Sequence, residues 1–157
     1  MTYAPQYPPA PSYPTTAGGL DQPLRGATIG QAFSRFWKKY ATFSGRASRS
    51  EYWWMTLISV IVSLAISAIG VAAAGGDPVA ANSSTGIDDI LTGIWGLATL
   101  IPSLALAARR LHDTNRSGWW ILLGLVPLVG WIILIVWYAS GPNPAGTRFD
   151  RSAVAQY

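Results

Sequence analysis

The sequence predicts an all-α integral membrane protein: a bundle of three transmembrane helices, preceded by an amphipathic interfacial helix and a disordered N-terminal tail. Three observations carry this. Charged residues make up 11% of the 157-residue chain, less than half of the roughly 25% usual in soluble domains. The charges are clustered, leaving uncharged runs of 22, 19 and 21 residues at 53–74, 90–108 and 119–139, and about 20 apolar residues in a helix cross the roughly 30 Å hydrocarbon core. Trp53 and Trp54 open the first run, while Trp119 with Trp120 and Trp137 with Tyr138 bracket the third, where amphipathic rings mark the membrane–water boundary. The length suits one domain.

Residues 1–27 carry six prolines, at 5, 8, 9, 11, 14 and 23. Proline fixes φ and removes a backbone donor, so this stretch reads as a disordered, partly polyproline-II tail with no apolar core of signal-peptide length. Tyr3, Tyr7 and Tyr13 between the prolines could present a ligand to a protein partner; the plainer reading is a solvated tail. Residues 28–139 form the membrane domain. Its first element is a helix over 29–43, with Ile29, Phe33, Phe36, Trp37, Tyr40 and Phe43 on one face and Gln31, Ser34, Arg35, Lys38 and Lys39 on the other. That pattern lies in the headgroup region or packs on the protein's own bundle.

A polar connector leads to the first span, 53–74. Ser48 and Glu51 have the spacing of a capping box, in which hydroxyl and carboxylate satisfy otherwise orphaned amides. Residues 75–89 form a loop closed by Asp88 and Asp89, whose charge suits the positive end of the next helix dipole. The second span, 90–108, contains Pro102, which frees the carbonyl of Ala98 and predicts a kink. A tight connector follows, with Ser117 as a plausible N-cap. The third span, 119–139, holds Pro127 and Gly130 at its middle. One kinked helix is the simpler reading, and a re-entrant hairpin of two half-helices is the competitor. A short polar tail, 140–157, ends the chain.

Lys and Arg flank these segments as six, none, three and two: before the first span, in the first loop, in the second connector and in the C-terminal tail. Cationic flanks stay cytoplasmic, which predicts a multi-pass topology with the N-terminus inside and the first loop outside. Three spans would then leave the C-terminus outside. The net charge of +4 sits beside apolar segments and so fits anionic membrane lipids rather than nucleic acid. With no Cys and one His, disulfides, metal centres and haem are not expected, and neither is any other cofactor.

Two motifs are recognisable. Residues 43–53 read Phe-Ser-Gly-Arg-Ala-Ser-Arg-Ser-Glu-Tyr-Trp, and residues 109–120 read Arg-Arg-Leu-His-Asp-Thr-Asn-Arg-Ser-Gly-Trp-Trp. Together they resemble the bacterial inner-membrane family known as domain of unknown function 805, over about 29–149. The resemblance implies a plasma-membrane location and a compact helical bundle. It implies no reaction, substrate or catalytic residue.

Both motifs fall at one membrane face, which would gather Arg46, Arg49, Glu51, Arg109, Arg110, His112, Asp113 and Arg116. Three readings compete. In the first the cluster is structural, with carboxylates capping helices and pairing with arginines. In the second it clamps an anion such as a lipid headgroup, since forked guanidinium contacts prefer Arg and the motifs contain no Lys. In the third His112 acts as a general base beside Asp113 or Glu51, with Ser117 or Thr114 as hydroxyls. The spans contain no ionisable residue, which argues against a proton-coupled carrier, although a small oligomeric transporter or channel component remains the alternative. The sequence therefore predicts a non-enzymatic protein, structural, adaptor-like or linked to anionic lipid.

Overall fold

The computed structural model describes residues 20, 22–83 and 86–150. Residues 1–19 and 21 of the expected tail lie outside these, as do 84, 85 and 151–157. The regular structure among the described residues is all helical, with no strand. Helix α1 is Ile29–Lys38, α2 is Arg49–Ala73, α3 is Pro78–Ser83, α4 is Ile87–Asp113 and α5 is Val129–Ala139; one 3₁₀ helix, Gly118–Leu125, precedes α5 and another, Pro144–Phe149, follows it.

Helices α2 and α4 pack antiparallel and are long and apolar enough to cross a membrane. At about 1.5 Å per residue they extend beyond a 30 Å hydrocarbon slab. Their outward faces are bare, with Leu64 65% and Leu97 74% exposed, and only 11% and 22% of their most apolar stretches are buried. Such surface is stable against lipid and not against water. The uncharged part of α4 is 90–108, and its last turn, 109–113, carries the charges beyond it. At the far end of the pair α2 narrows at Gly70, where any side chain would strike the Asp88 carboxylate.

Helix α1 begins at Thr28, which forms a capping box with Gln31. It ends at Lys38, five residues short of the expected boundary. Phe36 packs with Ala47, Met55 and Leu106, so α1 lies on the bundle. Arg35 and Lys39, expected on a polar face, are 9% and 3% exposed. Pro102 has the anticipated consequence for Ala98, whose freed carbonyl accepts the Tyr40 hydroxyl at 3.0 Å.

The third run does not form one span. The first 3₁₀ helix and α5 fold back on each other as a hairpin. Trp120 and Trp137 meet edge to face at 5.6 Å, and the Trp131 indole donates to the Gly124 carbonyl at 2.8 Å. At the tip Leu128 takes φ 61°, ψ −70°, and Val129 N donates to Pro127 O at 2.8 Å, a γ-turn whose positive φ is strained for any residue with a Cβ. Gly130 lets the arms touch, because a Cβ there would lie 1.8 Å from the Leu123 carbonyl oxygen. Eight residues at 3₁₀ pitch and eleven at α pitch give two arms of about 16 Å, each half the slab.

A consequence is that the C-terminal segment returns to the end of the bundle where α4 finishes. Asn143 N donates to Asp113 O at 2.8 Å and Gly45 N to Phe149 O at 2.9 Å. An uninterrupted third helix would instead have carried residues 140–150 to the other end of the bundle.

Candidate functional site

The charged cluster forms at the end of the bundle where α2 begins and α4 ends. Ser48 caps α2, accepting from Glu51 N at 3.2 Å, and Glu51 Oε2 accepts from Ser48 N at 2.8 Å. This is the capping box read from the sequence. Glu51, 2% exposed, does more than cap. Its Oε2 also accepts from Leu24 N at 3.2 Å, and its Oε1 takes the Nε of Arg35, from α1 rather than from the 109–118 connector.

Residues 22–27, expected within a disordered tail, lie as a strap across this helix start. Pro23 favours extended backbone, and the neighbouring carbonyls and amides meet α2 directly: Leu24 O accepts from Ser48 Oγ at 2.6 Å, and Ala27 N donates to Ser50 Oγ at 2.9 Å. Arg25 Nη2 reaches within 3.7 Å of Asp113 Oδ1.

Arg110 is wholly buried and joins three parts of the chain. Its Nε donates to Tyr138 O at 3.0 Å, its Nη2 to Ser140 O, and its Nη1 to Asp113 Oδ2 at 2.6 Å. The two carbonyls are among those that the end of α5 leaves unpaired. Asp113 Oδ1 has Arg25 and Arg46 at 3.7 and 3.9 Å, electrostatic contacts too long to be hydrogen bonds. Arg46 forks onto Asp150 at 2.9 and 2.6 Å, a bidentate geometry that lysine cannot reproduce.

The other members have more local roles. Arg109 Nε bonds Ala105 O at 3.1 Å within its own helix, and its Nη2 is buried without a hydrogen-bond partner among the described residues. Arg49 is exposed and reaches Ala139 O at 3.5 Å. Arg116 bonds Thr114 O and stacks over Trp137 at 4.4 Å, a cation–π contact on the hairpin. His112 Nδ1 meets Gly45 O at 3.0 Å, and its ring stacks on Phe149 with centroids 4.1 Å apart. Gly45 sits at φ 80°, open to glycine at no steric cost. Burial lowers the His112 pKa below its ordinary 6.5, and the Gly45 carbonyl acts in the opposite sense.

The structure therefore brings Arg46, Arg49, Glu51, Arg109, Arg110, His112 and Asp113 to one end, with Arg116 turned toward the hairpin. It adds Arg25, Arg35, Gly45, Phe149 and Asp150. Asp150 had one available signal, as the lone acid of the C-terminal tail; Arg25 and Arg35 had none beyond their charge. No group of residues suited to a metal ion occurs among the described residues. His112 and Asp113 do not meet as a general-base pair, since the imidazole turns to Gly45 and the carboxylate to Arg110.

The profile of DUF805, described as a protein family of unknown function, matches residues 40–151. Inner membrane protein YhaI of Escherichia coli strain K12 is 42% identical over 115 residues, 73% of this chain and 87% of the relative. Inner membrane protein YhaH of the same strain is 38% identical over 112 residues, 71% of this chain and 87% of the relative. No solved structure matches the chain.

Proposed function

We propose, for a chain that belongs to the bacterial inner-membrane DUF805 family, that it serves as a non-enzymatic membrane scaffold whose basic face rests on anionic lipid headgroups at the cytoplasmic side. The observation that carries this is the use to which the cluster's arginines are put. Arg35, Arg46 and Arg110 hold buried carboxylates, and Arg110 also holds the carbonyls that close the hairpin. These are the roles of a structural clamp, and no hydroxyl is hydrogen-bonded to His112 among the described residues. Arg49, Lys38 and Arg148 are exposed, and each cation near an anionic surface contributes about 1 kcal/mol.

In this reading α2 and α4 cross the bilayer, the hairpin enters and leaves on the cytoplasmic side, and both tails are cytoplasmic. The tyrosine- and proline-rich tail is then free to recruit a protein partner. The absence of native Cys makes a direct test possible. In spheroplasts, an impermeant maleimide should label Val79→Cys and leave Thr15→Cys and Ser152→Cys unreacted until the membrane is opened. Labelling of Ser152→Cys from outside refutes the topology. For the lipid face, Arg49→Gln with Lys38→Gln and Arg148→Gln should weaken binding to vesicles containing phosphatidylglycerol and leave thermal stability intact. Unchanged binding refutes that part.

A further inference from the structure

Beside the clamp lies a cavity of about 440 Å³, within the roughly 300–1,000 Å³ range of small-molecule sites. Phe43, Leu104, Ile121 and Leu122 form its apolar wall, and His112 and Ser117 supply its polar end. It sits where the apolar part of α4 gives way to charge, at the depth of the interfacial aromatics. Trp119, on its rim, is 80% exposed and Leu122 56%, so the mouth opens sideways toward lipid.

The polar end has a defined hydrogen-bonding character. A carbonyl only accepts, so the bond to Gly45 places the imidazole hydrogen on Nδ1 and leaves the Nε2 of the neutral ring as a lone pair. That nitrogen lies on the Gly118 side, 3.4 Å from where a Cβ at Gly118 would stand. The Ser117 oxygen accepts from Trp119 N at 3.4 Å, which leaves its O–H to donate. The cavity thus offers one acceptor and one donor above an apolar body. A phosphate or carboxylate oxygen would meet the Nε2 lone pair unfavourably, which separates this site from the basic face.

We propose that this cavity binds a neutral, membrane-dissolved amphiphile through a hydroxyl group, which donates to His112 Nε2 and accepts from Ser117, with its apolar body against Leu104, Ile121 and Leu122. Two sources carry that chemistry: an aromatic hydroxyl, as in a phenol or quinol, and an aliphatic lipid alcohol. Both present one O–H on a greasy body.

The chain's single His gives a unique reporter. The full chain, labelled with ¹⁵N-histidine in lipid nanodiscs, is titrated with 4-hexylphenol and with 1-nonanol, each beside its own methyl ether. At least one alcohol should move the Nε2 resonance saturably, and its ether should bind about three- to tenfold more weakly, the fold-change of one neutral hydrogen bond. Whichever alcohol shows the preference identifies the source. His112→Phe keeps a ring against Phe149, and by Trp fluorescence it should bind alcohol and ether alike. Leu122→Trp fills the cavity and should abolish the saturable shift with the Nδ1 bond to Gly45 in place. The proposal is overturned by linear, unsaturated shifts in the wild type, by equal affinities for both alcohol–ether pairs, by a preference that survives His112→Phe, or by a saturable shift that survives Leu122→Trp.

Discussion

Replacing Arg110 by methionine tests whether the cluster is a clamp. The change keeps an unbranched apolar stem and removes every donor. Three acceptors lose their partner. The Tyr138 carbonyl belongs to a residue 7% exposed, and an unsatisfied buried acceptor costs about 1–3 kcal/mol. Ser140 is less buried, so its carbonyl regains water at little cost. Removing one partner of a buried ion pair costs about 3–5 kcal/mol when the survivor is isolated. Asp113 is not isolated, because Arg25 and Arg46 stand at 3.7 and 3.9 Å, so a fraction of that figure applies. The sum is roughly 3 kcal/mol, more than a hundredfold in the folded-to-unfolded ratio. Unfolding the full chain with sodium dodecyl sulfate in dodecylmaltoside micelles, followed by Trp fluorescence and circular dichroism, measures it. Adding Asp113→Asn to Arg110→Met should recover about 1 kcal/mol, because the stranded charge is gone. A loss below about 1 kcal/mol for the single variant, or no recovery in the double, refutes the assignment of Arg110 as the residue that fastens the hairpin.

Further expectations use the same unfolding assay. Gly130→Ala places a Cβ 1.8 Å from Leu123 O, so the hairpin arms must part by more than 1 Å and stability should fall by about 1–3 kcal/mol; an unaffected variant refutes the close crossing. Leu128→Gly should instead stabilise, since relief of a positive-φ strain of about 1–3 kcal/mol outweighs the added unfolded-state entropy of about 0.5–1 kcal/mol, and a destabilised variant contradicts the γ-turn. His112 has a pKa below 6.5 in the folded chain. Its folded form therefore resists protonation, so stability is unaffected above pH 6.5 and declines as the pH falls from there toward the folded value. His112→Phe should remove that acid-side decline, and its persistence in the variant assigns it elsewhere.

Much of the fold was legible because single-segment physics decides it. Ser48 and Glu51 lie three residues apart and form the capping box their spacing implies. Pro102 frees one carbonyl four residues back, although nothing local indicates that Tyr40, 58 residues distant in sequence, takes it. The hairpin shows the limit. Pro127 and Gly130 mark a break, but hydropathy is the same whether two half-length arms run on or double back. What decides is Arg110 binding the far end of α5, a contact across 28 residues. The cluster's membership divides in the same way. The residues of the two motifs stood out by density, whereas Asp150 meets Arg46 from 104 positions away. Arg25 fell inside a proline-rich stretch whose composition argued for disorder. Arg35 was placed on a polar face by periodicity, which assigns direction and not partners, and Glu51 draws it into the protein.

The fold-back also bears on how the chain enters its membrane. On the proposed topology, the hydrophilic part that an insertion machinery carries across is the segment joining α2 to α4, which contains no lysine or arginine. Those two helices can therefore go in together as a paired unit. On the same topology Arg148 stays clear of the hydrocarbon barrier, and the last apolar segment needs only to dip in from the side on which it is made.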